Sequence, residues 1–218
     1  MTGPDRPDCL IVVPMKDPSA SKTRLGPGLT QAQRQTLARL LFRRTIDVLR
    51  QARTLPDAPR FDLAIVTSSI EIADIAERMG ATVIAEGARD GLSRAVETAA
   101  RWAGNRSYAS LCVIPADLAA PDPADLVRLL CCGRNRTRAV ICPATDLGTN
   151  ALLVSPPTAI PFLYGPNSAI RHLRAAERAG LNPVLLRLDS LQFDIDTAAS
   201  LERAMRDVPE LPRMLGQA

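Results

Sequence analysis

Aromatic side chains are scarce: four Phe, two Tyr and one Trp make up 3% of the 218 residues. The core must therefore be aliphatic, and the stacking platforms that hold single-stranded nucleic acid are missing. No apolar run approaches the ~20 residues needed to span a bilayer. The opening MTGPDRPDCLIVVPMK puts prolines and an acid where a signal peptide carries basic and then apolar residues, so the expectation is a cytoplasmic protein with no membrane association. Cys9, Cys112, Cys131, Cys132 and Cys142 are odd in number and show no CxxC spacing. Neither disulfides nor a zinc site is expected, only reduced thiols in mostly apolar stretches. The chain has one histidine, His172, which excludes a Ser-His hydrolase built on any other. Neither GxxxxGK[ST] nor GxGxxG occurs, so the two common phosphate cradles do not apply. Lysine is nearly absent as well: two against 25 Arg, and both, Lys16 and Lys22, fall within one short segment.

What is present is a globular composition, 46% hydrophobic and 23% charged, sized for a single domain over residues 1–218. The net charge of +4 is spread along the chain without a basic run, which argues against nucleic acid as a partner. Short apolar runs alternate with amphipathic helical stretches from end to end, the pattern of a layered α/β domain with a mostly parallel sheet. A strand at Cys9–Pro14 leads into a polar loop over 17–28 that is too long for an ordinary strand-to-helix turn. Thr30 and Gln33 form a capping box, and Leu37, Leu41, Val48 and Ala52 keep a helical stripe behind it. Strands follow in FDLAIVTS and ATVIAE, helices in SIEIADIAERMG and from Leu92 to Ala103, then a buried central strand at Ser110–Pro115. A helix in PADLVRLLCC precedes the strands RAVICP and ALLVSP, which read as a lobe added on the first sheet. The chain closes with a helix in PNSAIRHLRAAERAG, a strand in PVLLRL, the segment FDID, a helix from Thr197, and a loosely packed tail at 210–218. Trp102 and Phe42 fall on helical stripes and are expected in the core.

Three groups of residues can carry chemistry. Lys16, Lys22 and Arg24 in PMKDPSASKTRL are cations in a loop directly after the first strand, suited to a triphosphate or equally to a solvated loop. Asp117, just past the central strand, lies where open α/β sheets bind ligands. With Asp194 and Asp196 of FDID it forms a candidate Mg²⁺ set of a few carboxylate oxygens, although a cap or strand-end role is open for each. Together, acids at two strand ends opposite cations at a third meet the needs of nucleotidyl transfer. Asp146-Leu147-Gly148-Thr149-Asn150 suits either a small anion or a plain turn. Tyr164-Gly165-Pro166-Asn167-Ser168 opens a helix whose free amides suit phosphate or carboxylate, or is an N-cap with Pro at N1. His172, one turn into that helix, is expected to pack or to support a site residue.

In order, PMKDPSASKTRL, PAD, DLGTNALL, FLYGPNSAIRHLRAAERAG and FDIDTAASL resemble the CofC/FbiD family of guanylyltransferases along nearly the whole chain. Ser93 stands where that family usually has Asn after Gly-Leu, Ala119 and Ala120 where a proline and an apolar residue are common, and Phe193 where Leu is frequent. The resemblance implies a single-domain, Rossmann-like nucleotidyltransferase fold with a mixed, mostly parallel sheet flanked by helices. It also implies transfer of GMP from GTP to phosphoenolpyruvate, 3-phospho-D-glycerate or 2-phospho-L-lactate, with release of pyrophosphate, for coenzyme F-420 biosynthesis and its downstream transferase. By position, Asp117, Asp194 and Asp196 would hold Mg²⁺, Lys16, Lys22 and Arg24 would grip the triphosphate, and Thr149, Gly165 and Ser168 would bind the phosphoacid. Ser93 would lie among the substrate contacts. A homodimer is the default from symmetry statistics alone.

Three other readings stand beside this one. A molybdenum-cofactor or sugar-phosphate nucleotidyltransferase would carry a Leu-Ala-Gly-Gly loop, which is missing. A metal-dependent glycosyltransferase would have its DxD after the central strand rather than the last. A non-catalytic nucleotide-binding scaffold would have no need of all three acids.

Overall fold

The computed structural model describes residues 8–85, 91–132, 138–208 and 211–216; Glu86 and Asp90, at the edges of the segments read as ATVIAE and DGLSRAV, lie outside them. Among the described residues the strands are β1 (Cys9–Pro14), β2 (Phe61–Thr67), β3 (Thr82–Ala85), β4 (Ser110–Val113), β5 (Arg138–Pro143), β6 (Thr149–Ser155) and β7 (Asn182–Leu185). The helices are α1 (Gln31–Thr54), α2 (Ile70–Arg78), α3 (Leu92–Asn105), α4 (Pro123–Cys132), α5 (Ser168–Arg178), α6 (Ala198–Asp207) and α7 (Leu211–Met214). The strands form one sheet in the order β3-β2-β1-β4-β6-β5-β7. Only β6 runs against its neighbours: β1, β2, β3 and β4 pair in parallel, as do β5 and β7.

Alternation along β1 divides the core. Ile11 and Val13 point to the face covered by α1, α2 and α4, while Leu10 and Val12 point to the face covered by α3 and α5. A strand buried on both faces must be continuously apolar, and Leu10 through Val13 are fully buried. α1 begins as the sequence predicts: Thr30 Oγ1 accepts from the Gln33 amide at 3.3 Å and Gln33 Oε1 accepts from the Thr30 amide at 2.9 Å. The predicted stripe of α1 is buried throughout: Val48 and Ala52 pack on the sheet, while Leu37 and Leu41 join Leu25, Leu29 and Leu201 in a third apolar cluster that anchors the long loop after β1.

Three expectations need correction. The strands RAVICP and ALLVSP are no added lobe. β6 pairs with β4 through Leu111–Val154, Cys112–Leu153 and Val113–Leu152, and so continues the first sheet, which gives its apolar residues cover on both faces. The tail does not lie loose, since it turns into α7 and buries Leu211 and Leu215 in the third cluster. Phe42 is fully buried, but Trp102 is only half-buried, with the Arg106 guanidinium 3.8 Å over its ring.

Removal of residues 209–218 is expected to cost about 2–4 kcal/mol of stability in urea unfolding, by exposing the leucine cluster; an unchanged midpoint would mean these leucines do not hold the segment.

Candidate active site

The sheet topology brings three chain segments to one edge. β1 and β4 run in parallel, so Pro14–Met15 and Pro115–Asp117 leave the sheet on the same side. β6 runs the other way and therefore begins there, placing Thr149 and Asn150 alongside. Between them lies a cleft of ≈ 850 Å³ whose lining includes Lys16, Lys22, Asp117, Thr149, Asn150 and Asp196. A smaller recess of ≈ 280 Å³ adjoins it, lined by Lys16, Lys22, Thr23, Arg24 and Asp196.

The acids are assembled by a backbone clamp. Leu118 and Asp194 form an antiparallel bridge; the Ala119 amide donates to the Phe193 carbonyl at 2.8 Å and the Ile195 amide to the Asp117 carbonyl at 3.0 Å. This pins FDID against the end of β4, and the Asp196 amide is tied to Ser200 Oγ at the start of α6. Carboxylate oxygens of Asp117, Asp194 and Asp196 consequently lie within 4.8 Å of one another.

Lys22 closes the set. Its ammonium donates to Asp117 Oδ2 at 2.6 Å and to Asp196 Oδ1 at 2.9 Å, with the side chain only 5% exposed. The residue sits in the left-handed region, φ 56°, a strain of about 1 kcal/mol for a non-glycine that the surrounding contacts must offset. Burial would pull the ammonium pKa down, but Asp117 and Asp196 outweigh it and hold it above the ordinary lysine value. Burial likewise works against an ionised Asp196, yet Lys22, Arg24 and Lys16 keep its pKa below the usual carboxylate range. Among the described residues Asp194 makes no such pair: burial, then Asp117 and Asp196, push it up to about 6. Three carboxylates facing one buried cation leave an excess of hard anionic oxygen, the donor set that suits a magnesium ion. The residues present therefore fit that ion, with Asp117, Asp194 and Asp196 as its ligands.

On the β6 side, Thr149 Oγ1 lies 3.0 Å from both Ser168 Oγ and His172 Nδ1. His172 is fully buried and its Nε2 accepts from the Leu163 amide at 2.8 Å. Burial, reinforced by Arg171, pushes this ring down to about 4, so it is neutral at physiological pH. At Gly148 an added Cβ would stand 2.8 Å from Asp146 Oδ1, so the carboxylate that accepts the Gly148 amide would have to shift. Gly165 takes φ 116°, a conformation that favours glycine.

The structure brings Lys16, Lys22, Arg24, Asp117, Asp194 and Asp196 to one end of the cleft region, and joins Thr149 with Ser168 on its β6 side. Lys16 and Arg24 are exposed, whereas Lys22 is committed to carboxylates, a pairing the sequence does not reveal because its partners lie 95 and 174 residues away. Ser93 faces the protein: its hydroxyl accepts the Tyr164 amide at 3.1 Å. The first amides of α5 are not free, since Ser168 donates to the Gly165 carbonyl and Ala169 to that of Leu147. The N-cap is Asn167 rather than the residue before Pro166, so the proline is not at N1. Tyr164, Ser21 and Ser68 also line the cleft; the first two fall within segments singled out in the sequence, whereas no site motif marks Ser68.

A seven-stranded mixed sheet of this kind is found among nucleotidyltransferases, and here an acid cluster lies just beyond the end of β4. The fold is shared with a solved nucleotidyl transferase from Methanothermobacter at a TM-score of 0.64 and 14% identity, over 94% of this chain and 98% of that one. Within that class the chain belongs to the CofC-like guanylyl transferase family, whose model matches residues 9–206. It is 45% identical over 88% of its length to the 3-phospho-D-glycerate guanylyltransferase of Colwellia psychrerythraea, of which 89% is covered. It is 34% identical over 88% of its length to the phosphoenolpyruvate guanylyltransferase of Rubrobacter xylanophilus, of which 91% is covered.

His172 yields a pH prediction. Its folded value of about 4 lies below the ordinary 6.5, so the unfolded chain takes up the proton first on acidification. The stability it contributes is complete above about pH 6.5 and is lost progressively as pH falls toward 4, roughly 3 kcal/mol in all. Urea unfolding across that window should show the loss, and His172→Asn should remove this part of the pH dependence.

Proposed function

We propose that the protein transfers GMP from GTP to 3-phospho-D-glycerate, releasing pyrophosphate. The observation that carries the reading is the juxtaposition of the Asp117, Asp194 and Asp196 carboxylates, within 4.8 Å of one another, with the Lys16, Lys22 and Arg24 recess on one side and the Thr149 hydroxyl across the cleft. The relative at 45% identity, named for 3-phospho-D-glycerate, supports this phosphoacid over phosphoenolpyruvate.

A phosphate oxygen of the phosphoacid attacks the α-phosphorus of GTP; the new O–P bond forms as the bond to the β-phosphate oxygen breaks, and pyrophosphate departs with that electron pair. The nucleophile is already anionic at neutral pH, so no general base is required, and catalysis falls on positioning and charge. Lys16 and Arg24, exposed at the recess, meet the β- and γ-phosphates. Lys22 keeps Asp117 and Asp196 oriented and adds its charge at the junction of recess and cleft. Magnesium held by Asp117, Asp194 and Asp196 would neutralise the phosphate oxygens during transfer. Thr149 and the Gly165 turn hold the phosphoacid, with the buried Ser168 supporting Thr149 from behind. The product, a guanosine diphospho-acid, fits the supply of coenzyme F-420 biosynthesis, where a downstream transferase would consume it.

Pyrophosphate release should require GTP, magnesium and one phosphoacid, tested with 3-phospho-D-glycerate, phosphoenolpyruvate and 2-phospho-L-lactate in parallel, a coupling transferase drawing off product, and ATP and CTP as controls. Turnover with 3-phospho-D-glycerate alone supports the reading; turnover with another of the three corrects the phosphoacid, and silence with all in protein that binds GTP rejects it. Asp117→Asn should lower turnover by about 10²–10³-fold in protein that still folds, and chelation of divalent ions should abolish turnover until magnesium is restored.

A further inference from the structure

The polar chain behind Thr149 has a fixed direction. Leu163 N–H is a donor and can do nothing else, so the His172 Nε2 that it meets at 2.8 Å must be the bare nitrogen. The neutral ring then carries its proton on Nδ1 and donates it to Thr149 Oγ1 at 3.0 Å. The Ser168 hydroxyl, 99% buried, donates to the same oxygen at 3.0 Å. A hydroxyl oxygen has two lone pairs and one proton. Both lone pairs of Thr149 are thus filled from the protein side, while Thr149 itself lines the cleft.

We propose that His172 is a positioning residue that, with Ser168, forces the Thr149 hydroxyl to present its proton to the cleft, onto an anionic oxygen of the phosphoacid. An ordinary threonine hydroxyl can rotate to donate or accept; this one can only donate, so it suits a carboxylate or phosphate oxygen and disfavours a ligand group that must itself donate. The direction is set before any ligand arrives, which spares binding the cost of ordering the hydroxyl. Ring burial keeps His172 neutral, and the edge of Tyr164, with ring centroids 5.0 Å apart, closes over the imidazole. The assignment to the phosphoacid rests on the reading of Thr149 and Ser168 given under Proposed function; the proton chain does not.

His172 is the only histidine in the chain, so ¹⁵N-histidine labelling gives one unambiguous set of ring signals. Two-bond ¹H–¹⁵N correlation at neutral pH should give the neutral Nδ1–H tautomer; an Nε2–H tautomer or a charged ring overturns the proposal. In steady-state kinetics, His172→Leu removes the donor and should raise KM for the phosphoacid by about 10–100-fold, with KM for GTP unchanged. His172→Asn keeps an N–H toward Thr149 and should restore most of that loss, as Thr149→Ser should relative to Thr149→Val, in which the ring is untouched. Equal losses in the Leu and Asn variants, with Thr149→Val matching Thr149→Ser, would make the effect one of packing and overturn it. Should the Nδ1–H tautomer hold while the KM for GTP rises instead, the directed hydroxyl stands and the phosphoacid assignment of this subsite fails.

Discussion

Three carboxylates cannot be held within 4.8 Å of one another unless something on the protein side compensates them, and here that is Lys22. Its ammonium bridges Asp117 and Asp196 at 2.6 and 2.9 Å, linking the loop after β1 to the ends of β4 and of the FDID segment. A compact, strongly hydrated charge on a flexible stem suits this task better than the planar guanidinium used nearly everywhere else in the chain. Among the described residues Asp194 has no cationic partner at comparable distance, and burial, then its two acidic neighbours, shifts it upward. That residual excess of negative oxygen gives the cluster a donor set that would suit a divalent ion.

The antiparallel strand β6 supplies the other half of the site. Had β6 entered the sheet in parallel, its first residues would lie at the edge opposite Asp117. Reversed, it delivers Thr149 and Asn150 beside the end of β4, while the strand interior remains buried between β4 and β5. α5 then returns across the same edge, so Ser168 and His172, 19 and 23 residues beyond Thr149, meet its hydroxyl. One strand direction thus brings the acid cluster and the Thr149 hydroxyl to the same edge of the sheet.

Much of the scaffold was legible in the residues because local rules governed it. The capping box at Thr30, the alternation of β1 and the stripe of α1 depend on neighbours within a few positions, and each has its expected form. The place of RAVICP and ALLVSP was misread as a lobe because strand pairing is a long-range choice that a strand's own composition does not encode. The tail was misread for a similar reason. Leu211 and Leu215 look isolated in sequence and find their partners only where Leu25, Leu37 and Leu201 already converge. Ser93, an expected substrate contact, accepts the Tyr164 amide, a contact between segments 71 residues apart that local spacing does not announce.

The sequence by itself determined the layered α/β class, the identity of the acids and cations, and the family to which their order belongs, since residue types and short spacings carry that information. Only the tertiary structure decided that Lys22 is spent on Asp117 and Asp196 while Lys16 and Arg24 stay exposed, and that the His172 ring meets the Thr149 hydroxyl. Those outcomes depend on which side chains are brought within about 3 Å of each other across the sheet edge, a distance at which one hydrogen bond fixes a proton's direction and which no spacing along the chain can specify.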